Sequence, residues 1–350
     1  MKLIPATTSI AVTPLDNASG KSRFRKALSL FGRGDGDVAR VAIFAALVVV
    51  LGIISPSFFS QASWLATSQS ATVIVLLAIG QSFVIITGGI DLSVGAVLGA
   101  SSMVSAAVMR NLLIADVSSW TVVGVGLLVS LAVGLLAGLI NGLVITKLKI
   151  TPFIATLGML GVASGTTNLI NNGTEIVTVP SELGIIGNTT LLGGWLAVPV
   201  AVTIAVALIA AVILSRTRFG MRTFAIGSNS AAARRAGIGV DRHLISVYMI
   251  AGLTAGIAGF LLMSRFVSAS PLAGSSLELA AIAAAVIGGA SLVGGRGSIL
   301  GTVIGASITA TLQIGLILAG VASFWQTVTI GVIIVIAVYG DQLRIRMSNK

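Results

Sequence analysis

One carboxylate of this 350-residue chain stands out by its position. Residues 88–95 read GGIDLSVG and set Asp91 between two long apolar runs. A carboxylate at bilayer depth costs a few kcal/mol unless it is paired or wetted, so by default it marks a solute or ion path. A second reading is local. Gly88 and Gly89 make a tight turn, and Asp91, helped by Ser93, caps the following helix through backbone N–H groups. A cap that faces a water-filled vestibule does both. Residues 288–295, GGASLVGG, echo this segment at an offset of 200 residues, pairing Gly88, Gly89, Leu92 and Gly95 with Gly288, Gly289, Leu292 and Gly295. Transporters are often built from repeats, but two unrelated glycine-rich helix junctions give the same pattern.

Neutral polar side chains are scattered through the apolar runs: Gln69, Gln81, Ser82, Asn141, Thr156, Thr166, Asn168, Gln313 and Gln326. Singly, each is expected to bond to a neighbouring helix. Together they suit a polar, uncharged cargo, because amides and hydroxyls exchange hydrogen bonds with hydroxyl-rich solutes. Gln81, Asp91, Ser93, Asn141 and Asn168 are the residues expected along a substrate path. No catalytic or metal site is expected. Cysteine is absent and His243 is the single histidine, which places it at a surface or lipid-headgroup position. The patterns G-x-S-x-G, H-E-x-x-H and G-x-x-x-x-G-K-[ST] are missing, so the chain reads as neither hydrolase nor ATPase.

The segment 215–243 carries a different kind of chemistry. Its alanine-rich centre is flanked by Gly227 and Gly237; Asn229 or Ser230 can cap a short helix, Arg234 and Arg235 sit near its C-terminal end, and Gly237 stops it. That punctuation predicts a docking helix. The alternative is a solvated basic loop, which explains the arginines alone.

These groups must be positioned by a membrane. Only 9% of residues are charged and 56% are hydrophobic, against about 25% charged in a soluble domain. The mean hydropathy is +1.08. Apolar runs over 39–55, 64–87, 92–109, 120–145, 152–170, 196–214, 244–263, 278–295, 298–318 and 323–340 are of spanning length, and backbone in lipid must bond internally, so they are read as helices. The fold class is all-α, a polytopic bundle of about ten transmembrane helices spanning 39–341, with both termini cytoplasmic. Residues 1–38 are expected to be a basic cytoplasmic arm that lacks the apolar core of a secretory signal, and 342–350 a cytoplasmic tail. With the N-terminus inside, all but two of the 21 Lys and Arg residues fall on the cytoplasmic side, as the positive-inside rule requires. The two exceptions are Arg110 and Arg265. They either meet acidic groups of an external partner or are stray charges. The net charge of +11 is thus explained by lipid and sidedness rather than nucleic acid. Glycines four apart (Gly95/Gly99, Gly134/Gly138/Gly142, Gly252/Gly256, Gly301/Gly305) predict close helix packing, within one chain in preference to between copies.

GGIDLSVG at 88–95, NGLVITKLKITPFIATLGML at 141–160, FAIGSNSAAARRAGI at 224–238 and AAIAAAVIGGASLVGGRGSILGTVIGA at 280–306 together resemble the permeases of ribose-type ABC importers, over about residues 40–340. The resemblance implies a non-catalytic transport subunit in the bacterial inner membrane, working as two permease copies. It also implies a cytoplasmic ATPase, which binds ATP and Mg while this chain holds no cofactor, and a periplasmic or lipoprotein sugar-binding protein, to which Arg110 and Arg265 would present a docking face. The loop with Gly227, Asn229, Arg234, Arg235 and Gly237 would be the element that couples to the ATPase, and the cargo a ribose-like pentose or a hexose. Other readings are an ion-coupled carrier acting alone, for which Asp91 is the single intramembrane carboxylate on offer, and a related permease for nucleosides or branched-chain amino acids.

Overall fold

A computed structural model describes residues 36–322 and isolated helical positions from 325 to 339. The basic arm, up to residue 35, and the tail 342–350 lie outside the described residues. Twelve helices are described: α1 (Gly36–Ile54), α2 (Gln61–Ile86), α3 (Val94–Ile114), α4 (Ser119–Lys147), α5 (Pro152–Ile170), the short α6 (Leu183–Asn188), α7 (Val198–Arg216), α8 (Arg218–Ser228), α9 (Ser230–Arg235), α10 (Val240–Phe266), α11 (Leu277–Ile287) and α12 (Ile299–Leu318). A two-stranded hairpin, β1 (Thr190–Leu191) with β2 (Leu196–Ala197), precedes α7. Seven of the described helices, α2, α3, α4, α5, α7, α10 and α12, are long and apolar enough to cross a membrane.

Local chemistry sets the helix ends. Ser60 accepts the Ser63 N–H at the start of α2, and Ser298 accepts the Gly301 N–H at the start of α12. Proline opens α5 at Pro152 and lies in the first turn of α7 at Pro199, where its missing N–H costs nothing.

Helix α2 is the axis of the bundle. Every residue from Thr72 to Ile86 is buried, and α10, α12, α11 and α7 all pack on it. A helix that is apolar on all sides is stable only when surrounded. The glycine spacings resolve into contacts within the chain. A methyl group on Gly134 would strike the Gly252 carbonyl, and one on Gly252 the Gly134 carbonyl, while Gly138 faces Tyr248 and Gly142 faces Ile245. Helices α4 and α10 therefore meet backbone to backbone, where van der Waals contact replaces the hydrophobic effect that lipid removes. Gly301 meets Gly288, Gly305 meets Ala284, and Gly95 and Gly99 face the segment at Gly274.

The apolar run 278–295 is not one spanning helix. Helix α11 ends at Ile287 and has 11 residues, about 16 Å of rise and half the depth of a hydrocarbon core. The chain reaches it through a non-helical stretch that begins at Val267 (φ 51°), pairs Ala269 with Ile176, and turns at Ser276 (φ 64°). This irregular backbone packs on α3, where Gly95 and Gly99 face Pro271 and Gly274. Hydropathy averaged over the run cannot register that break, since the glycines that make it are themselves apolar.

Candidate functional site

Two interrupted helices meet at one end of the bundle. The first is α2. Its C-terminus closes with the Gly88 N–H on the Ile85 carbonyl (2.8 Å) and the Gly89 N–H on the Val84 carbonyl (3.0 Å), with Gly88 at φ 83°. The second is α11, which closes in the same way: the Gly289 N–H bonds Val286 (2.8 Å), the Ala290 N–H bonds Ala285 (2.9 Å), and Gly289 has φ 90°. Both ends are Schellman caps, in which a left-handed residue lets two orphan carbonyls be satisfied. The left-handed glycine is the first of its pair in one case and the second in the other, so the structural echo is shifted by one residue from the sequence echo. Gly88 corresponds to Gly289, not to Gly288.

The first break, residues 87–93, is fastened by side chains. The Asp91 carboxylate accepts from the Ser93 N–H (2.8 Å) and the Ser93 hydroxyl (2.6 Å), and Asn141 on α4 donates to that hydroxyl oxygen at 2.9 Å. The Gln81 amide spans the Asp91 backbone, its nitrogen donating to the carbonyl (3.1 Å) and its oxygen accepting from the N–H (3.2 Å). Thr156 on α5 accepts the Leu92 N–H at 3.1 Å. Gln81, Asp91, Ser93 and Asn141 are all at most 2% exposed, so four of the five expected path residues form one closed network that fixes the start of α3. The Tyr248 hydroxyl, beside Gly89, is buried and has no hydrogen-bond partner among the described residues.

The second break, residues 288–298, is folded by backbone. Gly289, Gly294 and Gly295 all have positive φ, Ser291 N–H bonds the Arg296 carbonyl, and Gly295 N–H crosses to the Ile86 carbonyl at 2.9 Å. The Arg40 guanidinium covers Gly289, and Ser82 on α2 bonds Thr302 on α12 at 2.6 Å.

Helix α8 sits directly on these junctions, and α9 follows it, packed on α8 and α10. Thr217 caps α8 at Phe219 and Gly220; Asn229 caps α9 by accepting the Ala232 N–H at 2.9 Å, and Gly237 (φ 81°) ends it. At Gly227 the backbone lies against the Ile86 carbonyl and the Gly295 nitrogen, so closely that a Cβ there would strike both. The inner face of α8 is buried at Gly220, Thr223 and Ile226. Phe219 packs on Phe83, and His243 bonds Thr223 at 2.8 Å with its ring 4.3 Å from that of Phe219. His243 is 7% exposed; it is a buried strut between α8 and α10, not the surface residue that its place beside a basic loop suggests. The opposite face leaves Met221, Arg222, Arg234 and Arg235 exposed, with Arg234 paired to Asp241 at 2.7 Å.

Asn168 stands apart from the network. It lines a cavity of about 190 Å³ with Gly95, Gly99, Ser164, Thr167 and Glu278. Reasoning from sequence misses Glu278, because it begins an apolar run and so reads as its boundary; only the descent of 267–276 into the bundle carries it inward. Arg110 and Arg265 lie at the helix ends opposite α8. Arg110 donates to Asn171 (3.0 Å), while Arg265 reaches Ser70 (3.5 Å) and lies 5.3 Å from the centre of the Phe266 ring.

Two broken helices that meet beneath a short docked helix, in a bundle where seven described helices are long and apolar enough to cross a membrane, have the architecture of a membrane permease. Residues 63–338 match the family described as the permease component of branched-chain amino acid transport systems. The chain is 44% identical to the ribose import permease protein RbsC of Bacillus subtilis, over 85% of this chain and 89% of that one. It is 35% identical to the D-allose transport system permease protein AlsC of Escherichia coli (86% and 90% covered) and 32% identical to the fructose import permease protein FrcC of Rhizobium meliloti (96% and 93%). The chain belongs to this permease family, among the ribose-type ABC importer permeases, and is a multi-pass protein of the bacterial inner membrane.

Proposed function

We propose that the chain is the permease subunit of an ATP-binding-cassette importer and forms the path for a monosaccharide, a ribose-like pentose or a hexose, delivered by an extracytoplasmic binding protein. A separate cytoplasmic ATPase binds ATP and Mg. It grips the exposed face of α8 and α9, with Arg234 and Arg235 as contacts and Asn229 and Gly237 setting the shape of the grip. The observation that carries this reading is the seat of Gly227 on Ile86 and Gly295. A displacement of the docked helices bears at once on the ends of both broken helices, which is how a partner can bias two arrangements of a bundle. Gln81, Asp91, Ser93 and Asn141 position the break beside the path, and Asn168 lines it.

A second permease copy packs on the outer face of α5. Gly158, Gly161 and Gly165 have open space there, among exposed Phe153, Ile154, Leu157 and Val162, beside the cavity at Asn168. Arg110 and Arg265 belong to the outer face that receives the binding protein.

The test is charge reversal. Arg234→Glu with Arg235→Glu leaves the chain in the membrane but separates ATP hydrolysis from sugar uptake in the reconstituted importer. Wild-type coupling in that double variant rejects the docking assignment. Uptake by the purified chain in liposomes without any ATPase makes it a stand-alone carrier instead.

A further inference from the structure

Resting on that reading, we infer that the cavity at Glu278 is the point where the cargo is held inside the bundle, with the Glu278 carboxylate accepting hydrogen bonds from the hydroxyl groups of a neutral, polyhydroxylated solute. Glu278 lies in the first turn of α11, nine residues before the end of the helix, or about 14 Å of rise from the junction that meets Gly227. That depth and the interrupted helix match where transporters place cargo. The carboxylate lies against Gly95, where a Cβ would strike it and the Gly274 carbonyl alike, so the glycine at the start of α3 leaves room for both. The carboxylate takes a hydrogen bond from its own backbone N–H, and no ion pair or hydrogen bond joins it to another described residue. A charge in such a place is costly with so little to balance it, and cargo hydroxyls are donors of the right kind.

The other walls are polar and small. Asn168 gives its amide nitrogen to the Ser164 carbonyl (2.8 Å) and keeps its oxygen as an acceptor, and Thr167 donates to the same carbonyl at 2.7 Å. Sign and size narrow the cargo. A half-helix N-terminus attracts anions, but here Glu278 already supplies the negative charge, so an anionic cargo is repelled. A volume of about 190 Å³ is below the roughly 300–1,000 Å³ of pockets for drug-sized ligands and suits one sugar ring.

The experiment uses the importer reconstituted with its ATPase and binding protein, with D-ribose, D-allose and D-fructose as probes. The wild type concentrates at least one of them. Glu278→Gln lowers the maximal uptake of that sugar about tenfold or more, the loss expected for one charge-assisted hydrogen bond, while the variant still assembles with its ATPase and binding protein, read by size-exclusion chromatography. Gly99→Leu fills the cavity and does the same; a Cβ at Gly99 has no neighbour nearer than 3.5 Å, so the first carbon is accommodated. A second measurement needs no variant: in the wild-type importer, the transported sugar slows carbodiimide labelling of Glu278, read by mass spectrometry, and equimolar potassium chloride does not. Wild-type uptake by Glu278→Gln, or labelling of Glu278 that ignores the sugar, overturns the inference and leaves the proposed function standing. Failure of the wild type to concentrate any of the three sugars, or uptake that persists without the ATPase, overturns the proposed function itself.

Discussion

The two helix breaks have the same capping geometry and opposite construction. After α2, one left-handed glycine suffices and the following turn is held by its own Asp91 and Ser93 together with side chains from α2, α4 and α5 that bond the segment 91–93. After α11, three left-handed glycines fold the turn on its own backbone, with Arg40 laid over it. A turn fixed by buried hydrogen bonds is rigid because each missing bond leaves a desolvated group behind. A turn fixed by glycine is permissive, because its residues lose little by changing φ. The first break is therefore the more rigidly built of the two, and the second, which meets α8 at Gly294 and Gly295, is the one whose backbone can change at less cost.

Substitutions at the shared contact should break both at once. Gly227→Val puts a branched side chain onto the Ile86 carbonyl and the Gly295 nitrogen, and should cost about 3 kcal/mol or more by overpacking, seen as loss of folded permease in a detergent thermal-unfolding assay. At the first break, Asp91→Ala strands the Ser93 N–H and hydroxyl and should destabilise by about 2–4 kcal/mol, whereas Asp91→Asn keeps an acceptor and should lose clearly less. The glycine caps provide a matched pair. Gly289→Ala meets the Arg40 guanidinium as well as φ 90°, while Gly88→Ala has φ 83° but no atom nearer than 3.7 Å. The conformational term alone is about 1–2 kcal/mol for each, so Gly289→Ala should be the larger, and equal shifts would remove the role assigned to Arg40. Smallest is Thr156→Ala, about 1 kcal/mol for one hydrogen bond to the Leu92 N–H, again by thermal unfolding.

Much of this arrangement is legible in the residues alone. The capping of α9 by Asn229 and Gly237 is local, so residues within one turn of each other are enough to place it; the bond of Asp91 to Ser93 is local too, but it fastens the turn ahead of α3 and does not cap the helix, whose N-cap Ser93 makes no side-chain cap bond. The glycine spacings point to packing within the chain, and their partners are α4 with α10 and α11 with α12. The features that sequence reasoning misplaces depend on distant neighbours. A basic sequence context puts His243 at the surface, yet Phe219 and Thr223 enclose it. Hydropathy makes the run 278–295 one span because it sums over a window and cannot see that Gly288 and Gly289 end a half-length helix. Matching identities aligns the echo between the breaks one residue out, because a shared glycine says nothing about which glycine takes the left-handed position.

The sequence by itself determined the solvent and the helical class, which follow from composition and run length, and the caps of α9, which are bonds between residues a few positions apart. Only the tertiary structure decided that Gln81 and Asn141 close a network around Asp91 while Asn168 and Glu278 line an open cavity. Burial and hydrogen-bond satisfaction are properties of what packs from elsewhere in the chain. In this bundle the deciding neighbours are 48 residues away for Asn141 against Ser93 and farther for Glu278 against Gly95.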